Sequence, residues 1–298
     1  MKKYLFVSDL HLVDGSCAED TTDPERFSEF LDMVGKAKGV KLYALGDWID
    51  LNQAFDLKRS ENFFKGILDI FRLDADELFC FIRESHPKLI ERAETLLERG
   101  KMVYIVGNHD PKMQKVWKKY GPKRRLFIPF DRKGNRILAE HGHVYTKSFI
   151  IGNSRIEEPG LRILGLLERY LHEDIDVWYG GAEKIFDPEK SERFYRNVRK
   201  SLSRRKNVRF HVFGHTHDTY FEQIKNGKWI LRNRIDKDNL PYVREISANR
   251  KEDGYSQYII NSGCNVNGHE DAVLIYKYKD KYFVVFDDRD RIVRTRYH

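Results

Sequence analysis

The sequence has little cysteine and no long apolar run. Its three cysteines, Cys17, Cys80 and Cys264, are widely spaced and odd in number, which argues against a disulfide framework and against a zinc site built on thiolates. No apolar stretch approaches the roughly 20 residues that a membrane-spanning helix needs. Met1-Lys2-Lys3 enters a short apolar segment directly, without the longer apolar stretch and cleavage site of a signal peptide. We therefore expect a protein of the reducing cytoplasm.

The composition is that of a globular protein with an excess of positive charge. Apolar residues make up 41% of the 298 residues and charged residues 34%, enough for one substantial core, so we expect a single domain over residues 1–298. The formal net charge is +8, which favours anionic partners such as phosphates, nucleic acid or an anionic membrane face.

The hydrophobic pattern predicts an α/β fold. Helical spacing is found over residues 24–38, 58–99 with a break at Pro87, and 111–120. Residues 145–206 have helical spacing and a basic end, and we interpret them as a helical insert or cap. Residues 233–256 are polar and irregular, which indicates a surface excursion. The predicted strands are residues 4–7, 41–45, 102–106, 136–140, 209–213, 219–225, 228–232, 257–261, 272–278 and 281–287.

Gly-Asn-His-Asp at residues 107–110 follows one of these strands. The glycine allows a sharp turn, and the turn presents the amide of Asn108, the imidazole of His109 and the carboxylate of Asp110 together. An ordinary turn uses the same residue types. The motif therefore indicates a functional site only in combination with similar motifs elsewhere in the chain.

Four other predicted strands end in hard oxygen or imidazole ligands. A single such pair is more often a polar loop pair, and His141 alone could be a hydrogen-bonded core histidine. Five coincident motifs favour a metal site, because open α/β sheets place their sites at the carboxyl ends of strands. The residues are Asp9 and His11; Asp47; His141, with His143 as a rival; and His215 and His217.

These donors predict the metal and its arrangement. Residues i and i+2 of an extended strand point to the same side, so Asp9 with His11, and His215 with His217, could each hold one ion. Carboxylate, amide and imidazole donors without thiolate suit Mn²⁺ first, with Fe, Zn²⁺ and Mg²⁺ as alternatives. A carboxylate can bridge two ions about 3.5–4 Å apart, and Asp47 is the natural bridge.

In this order, the motifs resemble those of the calcineurin-like metallophosphoesterase superfamily. The resemblance implies a four-layer α/β/β/α sandwich with a helical insert, two divalent ions at one edge and a bridging hydroxide that attacks phosphorus. It implies that His109 lies unligated beside the leaving group, where Asp110 either orients it or only begins a helix. The implied ligands are Asp9, His11, Asp47 and His217 for one ion, and Asp47, Asn108, His141 and His215 for the other.

Within the superfamily the chain looks most like the UDP-2,3-diacylglucosamine pyrophosphatases. Ser8 to Leu12, Gly46 to Asp50 and Asn261 to Cys264 carry this likeness. It implies a phosphorylated small-molecule or lipid-linked nucleotide substrate and peripheral contact with the inner membrane face. The chain departs from that branch at His109, where arginine is typical, and at Asp218-Thr219, where Arg-Pro is common.

The basic end of the insert offers candidate substrate contacts. We expect Arg199, Arg204 and Arg205 to meet a substrate anion, although a solvated helix face would have the same charges. The net charge also keeps a metal-dependent nuclease or a general phosphatase of the same superfamily open. A scaffold that binds proteins without catalysis is a further alternative, disfavoured because every expected ligand type is present.

Overall fold

A computed structural model describes residues 1–13, 23–51, 74–131, 134–146, 188–226, 228–235, 237–249, 255–266 and 269–295. Two six-stranded sheets lie at its centre. The strands are β1 Lys3–Val7, β2 Val40–Leu45, β3 Met102–Ile105, β4 Arg125–Pro129, β5 Arg136–Glu140, β6 Val208–Phe213, β7 Thr219–Lys225, β8 Lys228–Arg234, β9 Tyr242–Ser247, β10 Gln257–Ser262, β11 Asp271–Tyr278 and β12 Lys281–Asp288. The first sheet has the order β3-β2-β1-β11-β12-β9 and the second β4-β5-β6-β10-β7-β8.

Alternation along the strands separates three apolar layers. In β1, Leu5 and Val7 face the helices, whereas Tyr4 and Phe6 face the second sheet. Aromatic side chains such as Phe210 fill the space between the sheets. The outer face of the second sheet is covered by a helix from the C-terminal end of the predicted insert. The predicted four-layer α/β/β/α sandwich is confirmed.

The helices begin and end at recognisable signals. Asp23 caps the first helix by accepting a hydrogen bond from the backbone N–H of Arg26, and Pro24 occupies its first turn. Pro87 begins a helix directly after its predecessor ends, as predicted. The helices are α1 Pro24–Lys36, α2 Ala75–Ser85, α3 Pro87–Glu98, α4 Met113–Val116, α5 Pro188–Ser203 and α6 Arg289–Arg294.

Three segments differ from the sequence prediction. The irregular excursion predicted over 233–256 is wrong at β9, which pairs with β12. This strand lies at a sheet edge and buries only Ile246, so its composition is too polar to be read as a strand. The strand β4 was not predicted. The helix predicted over 111–120 is a single turn, α4, followed by a 3₁₀ turn at Lys118–Tyr120.

The predicted insert is described only at its two ends, a 3₁₀ turn at His143–Tyr145 and α5. Residues 147–187 lie outside the described residues, as do residues 52–73 of the predicted helical stretch. Among the described helices, none is long and apolar enough to cross a membrane.

Parallel pairing fixes where the site lies. Strands β1, β2 and β3 run parallel in the first sheet, and β5 and β6 run parallel in the second. Their carboxyl ends therefore meet at the same edge of the sandwich, and all five predicted motifs follow these five strands.

Candidate metal and phosphoester site

The structure brings the predicted ligands together in two adjacent groups. Asp9, His11 and His217 have ligand atoms within 4.8 Å of one another, and so do Asp47, His141 and His215. The groups adjoin, because Nε2 of His141 lies 4.0 Å from Oδ1 of Asp9.

Backbone hydrogen bonds hold the turns after β1 and β2 side by side. The backbone N–H of Asp9 donates to the carbonyl of Gly46, and those of Leu10 and His11 both donate to the carbonyl of Asp47. The two carboxylates, one from each turn, are therefore fixed relative to each other by main-chain contacts.

Five of the predicted ligands have a left-handed backbone, which few residues other than glycine adopt. The extended geometry assumed for the pairs Asp9 with His11 and His215 with His217 does not persist, so that reason for their convergence is wrong. The strained turns bring the side chains together instead, at a cost of order 1–3 kcal/mol each. The φ angles are 51° for Asp9, 47° for His11, 52° for Asp47, 73° for His215 and 53° for His217.

Two glycines let these turns approach closely. A Cβ atom at Gly107 would overlap the carboxylate of Asp47, and one at Gly214 would overlap Ser8 Oγ and Asp9 Oδ2. The absence of a side chain at both positions is therefore required by the placement of the two aspartates.

The second group presents its donors in a fixed orientation. Nδ1 of His141 lies 2.8 Å from the carbonyl oxygen of Leu45, and the natural donor there is the ring N–H. This bond leaves Nε2 as the ligand atom. Nε2 lies 2.8 Å from Oδ2 of Asp47 and 3.1 Å from Oδ1 of Asn108.

The buried charges shift one another's protonation. Burial raises the pKa of Asp9, but His141 and His217 outweigh it and lower that pKa to about 2. Burial lowers the pKa of His141, but Asp47 and Asp9 outweigh it and raise that pKa to about 9. Burial, with the charge of His141, holds the pKa of His215 well below its ordinary value. Burial raises the pKa of Asp47 too, but the charges of His141 and His109 outweigh it and hold that pKa well below its ordinary value. A cation would thus find two ionised carboxylates and would compete with a proton at His141.

The donor set fits a pair of divalent cations. Oδ1 of Asp9 and Nε2 of His11 are buried and have no hydrogen-bond partner among the described residues. Unpaired buried polar atoms are costly, and both atoms belong to the same ligand group. Oxygen and imidazole donors from the two groups suit Mn²⁺, Fe, Zn²⁺ or Mg²⁺.

The comparison with protein families agrees with this geometry. The model of the calcineurin-like phosphoesterase family matches residues 2–219. The chain belongs to the calcineurin-like phosphoesterase family. It is accordingly a phosphoester hydrolase of a metal-binding family whose members generally hold two divalent ions. A comparison with curated proteins finds no match.

In this phosphoesterase His109 stands beside the first ligand group. Its ring centroid lies 4.7 Å from that of His11, and its Nδ1 lies 2.5 Å from Oδ2 of Asp50. Asp110 was predicted either to orient His109 or to begin a helix. Its carboxylate instead accepts hydrogen bonds from the hydroxyl of Tyr104 and the backbone N–H of Gly107. The carboxylate at Nδ1 of His109 is that of Asp50.

Asp110 supports the turn at residues 107–110 from its buried side. It is fully buried. Burial, with the charge of Asp47, raises its pKa to about 7 despite the hydrogen bonds from Tyr104 and Gly107. It also does not begin a helix, because α4 starts three residues later at Met113.

His143, the rival of His141, belongs to neither ligand group. Burial, with the charge of His141, lowers its pKa to about 4. Its ring lies 5.5 Å from that of His141 and 6.3 Å from that of His215. The geometry therefore favours His141 as the ligand.

The three arginines predicted to contact substrate are not at the ligand groups. Arg199 forms ion pairs with Glu192 and Glu222, so its charge is already neutralised. Arg204 and Arg205 precede β6, whereas the ligand-bearing turn follows it. Six residues of strand separate the two ends by about 20 Å. None of the three therefore belongs to the ligand groups, and the expectation that they meet a substrate anion stays a prediction.

Two site residues were missed by the sequence reasoning. Asp50 ends the segment Gly46 to Asp50, and its position three residues after Asp47 was the available signal. Thr146 contacts the ring of His215, with 2.9 Å between Oγ1 and Nε2. No sequence pattern indicates that contact, because the two residues are 69 positions apart.

Proposed function

We propose that this phosphoesterase hydrolyses phosphodiester bonds with two divalent ions, Mn²⁺ in the first instance. The observation that carries the proposal is the contact between His109 and Asp50 beside the ligand groups. The proposed ligands are Asp9, His11, Asp47 and His217 for one ion, and Asp47, Asn108, His141 and His215 for the other.

Asp47 is the proposed shared ligand. Its Oδ2 faces His141, and its Oδ1 accepts a hydrogen bond from the backbone N–H of His109. When bound, the two ions would neutralise phosphoryl oxygens and lower the pKa of a bound water. Asp47 would thus tie the metal pair to the turn that carries His109.

His109 is the proposed general acid. Asp50 holds its ring through Nδ1, so Nε2 is the atom that would donate a proton to the departing oxygen. Donation of this proton matters most when the leaving group is an alkoxide, which departs poorly without it. It matters least when the leaving group is a phosphate, which departs as a stable anion. An acid at this position therefore favours phosphodiesters over diphosphates.

Hydrolysis of a lipid-linked nucleotide diphosphate is the second candidate. It is supported by the likeness of the motifs to UDP-2,3-diacylglucosamine pyrophosphatases. His109, where arginine is typical of that branch, and the neutralised Arg199 weigh against it. Peripheral membrane contact belongs to this candidate alone.

A substrate panel tests the proposal. Protein stripped with chelator and reloaded with Mn²⁺, Fe²⁺, Zn²⁺ or Mg²⁺ would be assayed with bis-p-nitrophenyl phosphate, p-nitrophenyl phosphate and UDP-2,3-diacylglucosamine. We expect two equivalents of bound metal and hydrolysis of the diester, lost on chelation. Cleavage of the UDP-lipid without cleavage of the diester would replace the proposal with the second candidate.

A further inference from the structure

One face of α5 carries a row of cations that form no ion pair with the residues the structure describes. Arg193, Arg196 and Lys200 are exposed on this helix, and exposed Arg204 follows in the turn after it. Their spacings of three, four and four residues place them on one side, about 4.5–6 Å apart along the axis. We call these four residues the basic stripe.

The other side of α5 carries charged residues that form ion pairs. Glu192 and Arg199 join Glu222 and Arg232 in a network of ion pairs. No ion pair within the described part of the chain includes a member of the basic stripe. Positive charge is therefore balanced on one side of the helix and concentrated on the other.

The N-terminal half of α5 lies near the ligand groups, and the helix leads away from them. The ring of Phe194 lies 6.3 Å from that of His215 and packs on Phe213 at the end of β6. At the other end of α5, Gln257 donates hydrogen bonds to the carbonyls of Leu202 and Val208, at the start of β6. From Arg193 to Arg204 the stripe covers about 16 Å.

The far end of the stripe opens into a basic groove. The groove has a volume of about 530 Å³ and contains an aromatic side chain, Phe127, that is 40% exposed. Arg136 adds a further cation to its lining. The lining residues are Phe127, Arg136, Arg204, Arg205, Lys206 and Asn207.

We propose that a single-stranded nucleic acid lies along α5, with its phosphates on the basic stripe and a base on Phe127. A row of cations one helix wide follows a single phosphodiester backbone, and an exposed ring gives a base a stacking surface. The scissile phosphate would lie at the ligand groups. That placement rests on the proposed function, whereas the binding of the strand does not.

A membrane surface fits this face less well. Trp229 and Ile230 are exposed apolar side chains suited to a lipid interface. They lie on β8, at the opposite edge of the second sheet from β4, the strand that carries Phe127. The apolar and basic features therefore do not form one surface.

Binding of a fluorescein-labelled oligo(dT) of about 20 nucleotides tests the inference. Anisotropy would be measured on the full chain in EDTA, at several salt concentrations. For four phosphate contacts we expect log Kd to change with log salt with a slope of about 3. R196E/K200E should weaken binding at least tenfold and lower that slope by about 1.4. Phe127→Ala should weaken binding about tenfold.

The matched control is K225E/K228E, which changes net charge equally at the tip of the β7–β8 hairpin. It should bind within twofold of wild type. R196Q/K200Q removes the two charges without reversing them. Thermal melts of every variant show whether weaker binding comes from lost contacts or from lost folding. Equal weakening by the stripe variant and the control would overturn the inference, as would binding to phosphatidylserine-containing vesicles with none to the oligonucleotide.

The two proposals fail separately. Because binding is measured in chelator, a protein that binds the oligonucleotide but hydrolyses no phosphodiester contradicts the proposed function alone. A protein that hydrolyses bis-p-nitrophenyl phosphate but binds no oligonucleotide overturns the stripe inference alone.

Discussion

Nδ1 of His109 lies 2.5 Å from Oδ2 of Asp50, a carboxylate with no solvent exposure. The same oxygen lies 3.4 Å from Nδ1 of His11. Burial raises the pKa of Asp50, but the charge and hydrogen bond of His109 outweigh it and hold the pKa well below its ordinary value. One ionised carboxylate therefore orients both the proposed acid and a proposed ligand.

Replacing His109 should separate the chemistry from metal binding. His109→Ala keeps every proposed ligand, so metal content should stay at the wild-type level while kcat falls about 10²–10⁴-fold. The loss should be larger for a dialkyl phosphodiester than for bis-p-nitrophenyl phosphate, whose leaving group needs little protonation. Equal losses on both substrates would contradict a role as general acid.

Asp50→Asn should reproduce much of the His109 effect. The amide cannot stabilise a charged imidazole as a carboxylate does, so kcat for the dialkyl diester should fall about 10–100-fold. Because Asp50 also contacts His11, the affinity for one metal equivalent should weaken. Steady-state kinetics with metal analysis by mass spectrometry would measure both. Unchanged leaving-group sensitivity would rule out orientation of His109 by Asp50.

Asp47→Ala should impair metal binding and abolish hydrolysis. This residue is the only carboxylate of the second ligand group among the described residues and is the proposed shared ligand. We expect fewer than two equivalents of metal and no measurable diesterase activity. Asp280→Ala, at an exposed aspartate in the turn between β11 and β12, is the control and should match wild type. Full activity of Asp47→Ala would refute its bridging role.

The site residues could be predicted because their chemical types recur at the ends of strands. The ligand types and the α/β/β/α layering follow from apolar alternation and from five motifs read in order. The left-handed turns at Asp9 and Asp47 could not be predicted, because contacts between different turns impose them. The partner of Arg199 could not be predicted either, because Glu222 is 23 residues away and becomes a neighbour only when β7 joins the sheet.

Gly214 should not tolerate a side chain. A Cβ atom there would overlap Ser8 Oγ and Asp9 Oδ2, so Gly214→Ala must displace the ligand carboxylate. We expect weaker metal binding and about 1–3 kcal/mol lower unfolding free energy. Gly35→Ala in α1 is the matched control. Its Cβ would lie 3.5 Å from Leu96, an ordinary contact, and should stabilise the helix by about 0.5–1 kcal/mol. Calorimetry and metal titration would compare them.

Glu140 should make folding stability depend on pH. It is buried and accepts hydrogen bonds from His211, Tyr145 and Arg125. Burial raises its pKa, but these partners, His211 foremost, lower it from 4.5 to about 2. A lowered pKa contributes stability that is fully present above the unfolded-state pKa and is lost as pH falls through the folded-state pKa.

Glu140→Gln should therefore lower the unfolding free energy by about 2 kcal/mol at pH 7 and by less at pH 3. Urea unfolding of wild type and variant at both pH values measures the difference. Glu245→Gln is the control, because its ion pair with Lys281 is half-exposed on both sides and should contribute less than about 1 kcal/mol. A destabilisation by Glu140→Gln that is equal at pH 7 and pH 3 would mean that the charge of this carboxylate does not stabilise the fold.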